Sequence, residues 1–178
     1  MNITFFCSSS DQLAPVFYSE AREIGGALSE HHLIYGGSNA GLMGAVAGAS
    51  IKKNGTVTGI ITEGLNSEAN QQLGLKNLII CSGLNERKKR LVEMADLFLI
   101  LPGGFGTLDE ALEVLALKQV GELNKPIIFH NCFDFWDGFF EFSENLYEQK
   151  MIPQDLSKLY VKIKNVNELK EYLEKNFQ

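Results

Sequence analysis

The sequence predicts an α/β protein with a doubly wound parallel sheet, in three α/β/α layers. Apolar runs alternate with amphipathic stretches along all 178 residues, and such alternation favours right-handed crossovers between parallel strands. The runs are continuously apolar, as strands covered by helices on both faces require. Because the chain contains no linker, repeat or low-complexity segment, we expect residues 1–178 to form a single domain.

Each predicted element follows from a local pattern. Strands are predicted where short apolar runs are bounded by glycine, proline or polar residues, near residues 2–7, 32–36, 56–61, 77–81, 96–101, 126–130 and 158–163. Helices are predicted where apolar residues recur at helical spacing, near residues 12–30, 39–53, 84–95, 106–120, 133–150 and 166–176. Strand and helix therefore alternate along the chain, except that the strands at 56–61 and 77–81 follow each other directly.

Composition argues against several classes of partner. A net charge of -6 disfavours general binding to nucleic acid or to anionic membranes. No apolar run approaches the roughly 18 residues of a membrane span, and the residues from Met1 to Phe6 are typical of a first strand rather than of a signal peptide. We therefore expect a cytoplasmic protein, in which an anionic ligand would have to be held by local donors.

The cysteines and histidines are interpreted as structural. Each of the three cysteines, Cys7, Cys81 and Cys132, ends an apolar run, where a small buried thiol is the ordinary explanation. They are too few and too scattered for a disulfide framework or a zinc site. The three histidines have no companion at catalytic or metal spacing. The sequence therefore indicates no metal site.

The most informative stretch runs from Leu97 to Glu110. Five apolar residues precede Pro102 and three glycines within four positions, and a segment of helical spacing follows. This pattern predicts a buried strand that turns sharply into a helix. Glycines let a ligand approach the backbone amides, and amides at a helix N-terminus suit a phosphate. The predicted anion-binding loop comprises Gly103, Gly104, Phe105, Gly106 and Thr107.

The same residues also fit a simpler interpretation. Thr107 and Glu110 have the spacing of a capping box, in which the two side chains satisfy each other's backbone donors and only start a helix. Two features favour the anion-binding loop. A cap needs one glycine at most, and an acid such as Glu110 beside a phosphate would be repelled unless it had a function there.

Other small, amide-rich loops follow the strands at the same predicted end of the sheet, where ligands of such folds bind. They begin with Cys7-Ser8-Ser9-Ser10, Tyr35-Gly36-Gly37-Ser38 and Ser82-Gly83. They either line one concave site or are only tight turns and helix caps. The spacing Gly36-x-Ser38-x-x-Gly41 approaches a dinucleotide fingerprint, but it follows the second strand and no acidic residue ends the next one. A nicotinamide dehydrogenase is therefore not expected.

Arg87 differs from the rest of the charged run that opens the helix predicted at 84–95. Most of that run suits a solvated helix face. Arg87, however, lies three residues after Leu84 and four before Leu91, and so shares the apolar stripe of the helix. An arginine there needs a partner, and a carboxylate or a phosphate is the natural one.

The helix predicted at 106–120 carries apolar residues on two sides. One stripe comprises Leu108, Ala111, Leu112 and Leu115, and a second, on the side of Glu110, comprises Val114 and Leu117. Apolar surface on two sides indicates a helix covered by more than its own sheet. A second subunit and deeper burial within the monomer both explain it.

Three motifs in order resemble the LOG family, the cytokinin-activating nucleoside-monophosphate phosphoribohydrolases, often labelled lysine decarboxylases. The residues from Pro102 to Glu110 resemble its PGGxGTxxE signature, Glu86-Arg87-Lys88 its x-R-K element, and the residues from Tyr35 to Gly44 its YGGGxxGLMG run. The resemblance covers nearly the whole chain. Departures are Ser38 for the third glycine of the run and Ala116 for a polar residue after the signature.

The resemblance implies a Rossmann-like, nucleotide-binding domain that hydrolyses the N-glycosidic bond of AMP or of N6-substituted (cytokinin) riboside 5′-monophosphates. It also implies a homodimer with the active site at the subunit interface, and no cofactor. The family's essential arginine and glutamate fall on Arg87 and Glu110. Implied substrate-binding positions are Gly36, Gly37, Ser38, Lys88, the loop from Gly103 to Thr107, and Glu68, with Glu63 as the alternative acid.

Two other functions are weighed against hydrolysis. A protein of the same fold could bind or carry a nucleotide or a nucleotide-like cofactor without cleaving it, because the anion-binding loop serves both purposes. The retained pair of Arg87 and Glu110 favours the enzyme. Lysine decarboxylation with pyridoxal phosphate fits poorly, because no lysine stands out as a desolvated Schiff-base position.

Overall fold

In the computed structural model, which describes residues 1–66 and 74–177, seven strands and seven helices succeed one another. The strands are β1 (Asn2–Phe6), β2 (His32–Tyr35), β3 (Thr56–Thr62), β4 (Asn77–Cys81), β5 (Leu97–Ile100), β6 (Ile127–His130) and β7 (Val161–Ile163). The helices are α1 (Pro15–Ala27), α2 (Gly41–Lys52), α3 (Leu84–Met94), α4 (Phe105–Gln119), α5 (Asp137–Glu148), α6 (Leu156–Leu159) and α7 (Val166–Asn176). None of the described helices is long and apolar enough to cross a membrane.

The strands form one parallel sheet in the order β4-β3-β2-β1-β5-β6-β7. The chain winds outward from β1 in one direction through β2, β3 and β4. It then returns beside β1 with β5 and winds outward in the other direction. The order of strands therefore reverses between β1 and β5, which is where such folds form a ligand crevice. The predicted doubly wound, Rossmann-like sheet is confirmed.

The sheet separates two apolar cores because successive strand residues point to opposite faces. Phe5 and Leu99 lie in the core beneath α1, α2 and α7. Phe98 and Ile100 lie in the core beneath α3, α4 and α5. All four side chains are at most 1% exposed. Helices cover both faces, and the predicted three layers are confirmed.

Two elements near the end of the chain differ from their predictions. The helix predicted at 133–150 begins only at Asp137, because Phe133 and Asp134 have φ angles of 56° and 54°, outside the α-helical region. The strand predicted at 158–163 starts at Val161, because Asp155 caps the short helix α6 by accepting a hydrogen bond from the backbone amide of Ser157. Positive φ angles thus moved the first boundary, and a local side chain to backbone bond moved the second.

Candidate active site

A cleft of about 560 Å³ opens at the carboxyl ends of the central strands, where the strand order reverses. Its walls are joined by backbone hydrogen bonds. The amide of Ser8, after β1, donates to the carbonyl of Pro102, after β5, over 3.0 Å. The amide of Leu42, in α2, donates to the carbonyl of Ser8 over 2.9 Å. The loops after β1, β2 and β5 therefore form one connected rim, as the predicted topology requires.

An ion pair between Arg87 and Glu110 lies in this cleft. Arg87 comes from the first turns of α3, and its Nη1 donates to Oε1 of Glu110 in α4 over 3.0 Å. Its Nε donates to the carbonyl oxygen of Ile60 in β3, also over 3.0 Å. The side chains of the pair are only 11% and 9% exposed, respectively. Of the two partners expected for Arg87, a carboxylate or a phosphate, the structure shows the carboxylate, although Leu84 of the predicted apolar stripe is exposed.

Burial sets the ionisation of the groups at the base of the cleft. The pKa of Glu110 is raised above its ordinary value of 4.5, because desolvation of the carboxyl outweighs the opposing charge and hydrogen bond of Arg87. Burial, and the nearby charge of Glu110, also raise the pKa of the Cys7 thiol. Cys7 therefore stays neutral, while Glu110 can exchange a proton closer to neutral pH than an exposed glutamate.

The anion-binding loop is open to the cleft. Helix α4 begins at Phe105 with Gly104 as its N-cap, and no side chain of the described residues caps it. The first amides of a helix have no partner within the helix. A Cβ atom added to Gly104 or Gly106 would meet nothing within 4 Å, so the backbone there is accessible. An anion at this helix end would meet free amides and the positive end of the helix dipole.

The capping-box interpretation of Thr107 and Glu110 is wrong. Thr107 lies inside the first turn of α4 rather than before it, so it cannot be the N-cap. The carboxylate of Glu110 accepts its hydrogen bond from Arg87. Gly103 has a packing role here, since a Cβ atom added to it would overlap the Thr107 hydroxyl. This leaves the amides of the loop available to a ligand.

The beginning of α2, by contrast, is closed by the protein itself. The amide of Gly41 donates to Oδ1 of Asp11 over 2.8 Å. A dinucleotide phosphate would need the amide of Gly41, the last glycine of the fingerprint-like spacing. In this structure that amide is already bonded to a carboxylate of the chain itself. This agrees with the expectation that the protein is not a nicotinamide dehydrogenase.

The other predicted substrate-binding residues lie in different surroundings, and only some of them line the cleft. Gly36 and Ser38 line the cleft. Gly37 packs against β3, where a Cβ atom would lie 3.1 Å from Cβ of Ile61, and its φ of +80° favours glycine. Glu63 is exposed in a 3₁₀ turn directly after β3. Glu68 lies outside the described residues, so the choice between the two acids stays a prediction.

Lys88 points away from the cleft lining. Its Nζ lies 3.1 Å from Oδ2 of Asp109 and 3.0 Å from Oε2 of Glu113, both on α4. These contacts raise the pKa of Lys88, led by the hydrogen bond to Glu113. Lys88 thus joins α3 to α4 beside the pair of Arg87 and Glu110. Its predicted contact with substrate stays a prediction.

Sequence reasoning missed the apolar wall of the cleft. It comprises Met43, Ile61 and Leu65, which line the cleft. Ile61 lies near the end of β3, at the edge of the sheet where β1, β2 and β5 also end, and this position was the available signal. Met43 lies in α2, and Leu65 lies in the 3₁₀ turn after β3. An apolar side chain, however, carries no chemistry that would mark it as part of a site.

Helix α4 leaves an apolar surface uncovered. Its buried side comprises Thr107, Glu110, Ala111 and Val114. Within the first predicted stripe only Ala111 is buried, and Leu112 is 51% exposed. Phe105, at the rim of the cleft, is 92% exposed. Burial within the monomer therefore explains the Val114 side of the helix but does not cover the Leu112 side.

Comparison with known sequences points to one family. Residues 43–173 match the family described as possible lysine decarboxylase. The chain is 32% identical over 169 residues to the cytokinin riboside 5′-monophosphate phosphoribohydrolase LOG of Oryza sativa subsp. japonica, spanning 94% of this chain and 70% of that protein. It is 33% identical over 148 residues to the cytokinin riboside 5′-monophosphate phosphoribohydrolase of Rhodococcoides fascians, spanning 81% and 74%, respectively.

Comparison with solved structures finds the same fold. The molybdenum cofactor carrier protein of Chlamydomonas reinhardtii aligns with a TM-score of 0.75 at 16% identity, covering 98% of this chain and 96% of that chain. The molybdenum cofactor binding protein of Rippkaea orientalis aligns with a TM-score of 0.72 at 19% identity, covering 99% and 97%. At these identities the likeness concerns the fold alone.

Proposed function

The chain belongs to the LOG family, and from this premise we propose that it hydrolyses the N-glycosidic bond of AMP or of N6-substituted (cytokinin) riboside 5′-monophosphates. The products are the free base and ribose 5-phosphate. The observation that carries the proposal is the buried pair of Arg87 and Glu110 in the same cleft as an uncapped helix N-terminus. The first supplies a carboxylate for the sugar, and the second supplies donors for a phosphate.

The phosphate is assigned to the amides of the anion-binding loop. The cleft-lining residues of the described chain include one arginine and no lysine, and that arginine is already paired with Glu110. The charge of the ligand must therefore be met mainly by backbone donors and by the dipole of α4. The apolar wall of Met43, Ile61 and Leu65 in the same cleft suits a flat, weakly polar base.

Glu110 carries the chemistry in this proposal. Breaking the bond between C1′ and the base nitrogen leaves the bonding electrons on the base and builds positive charge on the ribose, as in glycoside hydrolysis. An ionised Glu110 stabilises that charge or accepts a proton from the attacking water, whose oxygen bonds to C1′. The base leaves with a proton taken from solvent. Arg87 holds the carboxylate in place.

We also propose that the protein is a homodimer whose interface adjoins the cleft. Support comes from α4, where Phe105 is 92% and Leu112 51% exposed on the helix that also carries Glu110. Exposed apolar surface of this kind is typical of an interface. A second copy seated on α4 would cover Phe105 and narrow the mouth of the cleft, which would limit the contact of the bound substrate with bulk solvent.

Two rival functions are less well supported. A carrier needs the anion-binding loop, but it has no need of a buried carboxylate whose pKa is raised. Pyridoxal phosphate chemistry needs a lysine for the Schiff base, and none of the described residues that line the cleft is a lysine. The residues present do not fit that cofactor.

The test is chromatography of purified protein incubated with AMP and, separately, with isopentenyladenosine monophosphate. We expect the wild type to release free base, and Glu110→Gln to be at least about 100-fold slower, the lower range for loss of a general acid or base. Glu122→Gln is the matched control, because Glu122 is exposed just beyond the other end of α4. It should retain full activity.

The outcomes separate the proposal from its rivals. Binding of either nucleotide by equilibrium dialysis without release of base would favour the carrier. Full activity in Glu110→Gln would remove Glu110 from the mechanism. Neither binding nor release with any nucleoside monophosphate would contradict the proposal altogether.

A further inference from the structure

The guanidinium of Arg87 is enclosed on three sides. Its Nε donates to the carbonyl of Ile60, and its Nη1 donates to Glu110. Its Nη2 lies against the backbone of Gly36, directly after β2, so closely that a Cβ atom added to Gly36 would overlap it. The space that Nη2 occupies therefore exists only because residue 36 has no side chain.

We propose that Gly36 is a positioning residue of the active site. Because glycine has no side chain, Arg87 can take the orientation in which it holds Glu110. The inference deepens the proposed function and rests on it for its effect on hydrolysis. It also gives Gly36 a task distinct from contact with the substrate. Gly36 acts through Arg87, and Arg87 acts on Glu110.

The backbone at this position does not itself demand glycine. Gly37, Gly41, Gly74 and Gly121 have positive φ angles among the described residues, and Gly36 is not one of them. An alanine at position 36 would thus not be forced into the left-handed region. This separates Gly36 from Gly37, where a φ of +80° would make any substitution costly whatever its neighbours.

The atoms around a Cβ atom added to Gly36 show which side chains would have to move in Gly36→Ala. Apart from Arg87, the nearest atoms are Cε and Sδ of Met43, both at 3.3 Å, at the end of a flexible side chain. The fold can therefore accept a methyl group at position 36 if the guanidinium shifts. Such a shift pulls Nη1 away from Glu110, because the same rigid guanidinium plane carries both nitrogens.

The consequence for Glu110 is a change of ionisation. Burial raises its pKa, and Arg87 is the largest influence in the opposite direction. Without the guanidinium, burial acts with less opposition and the protonated carboxyl is favoured. A variant with a displaced Arg87 would therefore need a higher pH to ionise Glu110 than the wild type does.

The test compares Gly36→Ala with Gly138→Ala, a substitution in α5 where an added Cβ atom meets nothing within 4 Å. We expect Gly36→Ala to lose activity at neutral pH and the acid limb of its kcat/KM profile to move upward by about one pH unit or more. Gly138→Ala should match the wild type. A uniform loss of rate with an unmoved limb would overturn the proposal.

A double-mutant cycle tests the route through Arg87. If Gly36 acts only by positioning Arg87, Gly36→Ala should cost nothing further in an Arg87→Ala background, in activity or in thermal stability. Additive losses would contradict this. The cycle remains decisive even if Gly36→Ala alone folds poorly, because the double variant removes the overlap and should fold as well as Arg87→Ala.

A direct measurement keeps this inference separate from the proposed hydrolysis. The midpoint of Glu110 ionisation can be followed by ¹³C NMR of side-chain carboxyl-labelled glutamate, with Glu110→Gln assigning the signal. We expect the midpoint to rise in Gly36→Ala. A rise without any hydrolysis by the wild type would support the role of Gly36 and reject the proposed reaction. An unchanged midpoint would overturn the role of Gly36.

Discussion

Nη1 of Arg87 and Oε1 of Glu110 lie 3.0 Å apart although the residues are 23 positions apart in the sequence. One comes from α3 and the other from α4, and both side chains are about one-tenth exposed. Each charge is therefore compensated mainly by the other rather than by water. Removing one partner would leave a buried, uncompensated charge, which is far more costly than losing an exposed pair.

This relationship predicts the stability of Arg87→Ala. We expect the free energy of unfolding to fall by about 3 kcal/mol, in the range for breaking a buried pair. Arg90→Ala is the matched control on the same helix, because Arg90 is 51% exposed and pairs with Glu86, one turn earlier. Its effect should be much smaller. Urea denaturation of both variants measures the difference, and equal losses would contradict the buried pair.

The raised pKa of Glu110 predicts the acid side of the pH–activity profile. If the reaction needs an ionised Glu110, activity rises as the pH increases through that pKa. The limb should therefore have its midpoint above 4.5, the ordinary value of a glutamate. Initial rates of base release measured from pH 4 to 8 locate the midpoint. A midpoint at or below the ordinary value would rule out Glu110 as the group whose ionisation limits the rate.

Much of the fold could be predicted because the strands are continuous apolar runs. Such runs carry their own signal, and the parallel topology follows from their alternation with helices. The beginning of α5 could not be predicted, because Phe133 and Asp134 adopt positive φ angles within an otherwise helical pattern. Helix α6 was missed because it is only four residues long and depends on the cap at Asp155.

The site could be predicted only in part, for a physical reason visible in α3. Arg87 could be assigned to the inner side of the helix, but its partner depended on how α3 packs against α4. Lys88 follows it directly, and consecutive helical residues point about 100° apart. Their contacts therefore differ, with Lys88 reaching Asp109 and Glu113. The position of Lys88 next to Arg87 in the sequence therefore did not place its side chain in the lining of the cleft.

The placement of Lys88 predicts a split between kcat and KM. In Lys88→Met the link between α3 and α4 is lost, so Arg87 and Glu110 are held less firmly. We expect kcat to fall by roughly tenfold while KM changes little, because a small misplacement affects the chemical step. Steady-state kinetics on AMP measures both. A large rise in KM with kcat unchanged would instead indicate that Lys88 binds the substrate.

The uncovered side of α4 predicts the oligomeric state. Sedimentation equilibrium should find a dimer for the wild type and a monomer for Leu112→Lys, because a lysine at the centre of an apolar interface is costly to desolvate. Val16→Lys is the control, since Val16 is similarly exposed, at 49%, on α1 across the sheet. It should remain dimeric. A dimeric Leu112→Lys would mean that the interface does not involve this side of α4.

The last prediction concerns His130, at the end of β6. Its Nε2 lies 2.7 Å from Oε1 of Glu20 on α1, and the side chain is fully buried. Within the described residues, Nδ1 has no hydrogen-bond partner. Burial lowers the pKa of His130 below its ordinary value of 6.5, although the charges of Glu20, Glu168 and Glu23 oppose this. In the folded protein His130 therefore stays neutral at pH values at which the unfolded chain protonates it.

The sign of the stability change with pH follows from the direction of this shift. Between the lowered pKa and 6.5 the unfolded state binds more protons, so the free energy of unfolding rises with pH there and falls as pH drops. One such group contributes at most about 1.4 kcal/mol per pH unit. Urea denaturation at several pH values below 6.5 should show a shallower slope for His130→Gln than for the wild type. Because His31 and His32 also have lowered pKa values, part of the slope will remain. Identical slopes for the two proteins would mean that His130 takes up no proton on unfolding.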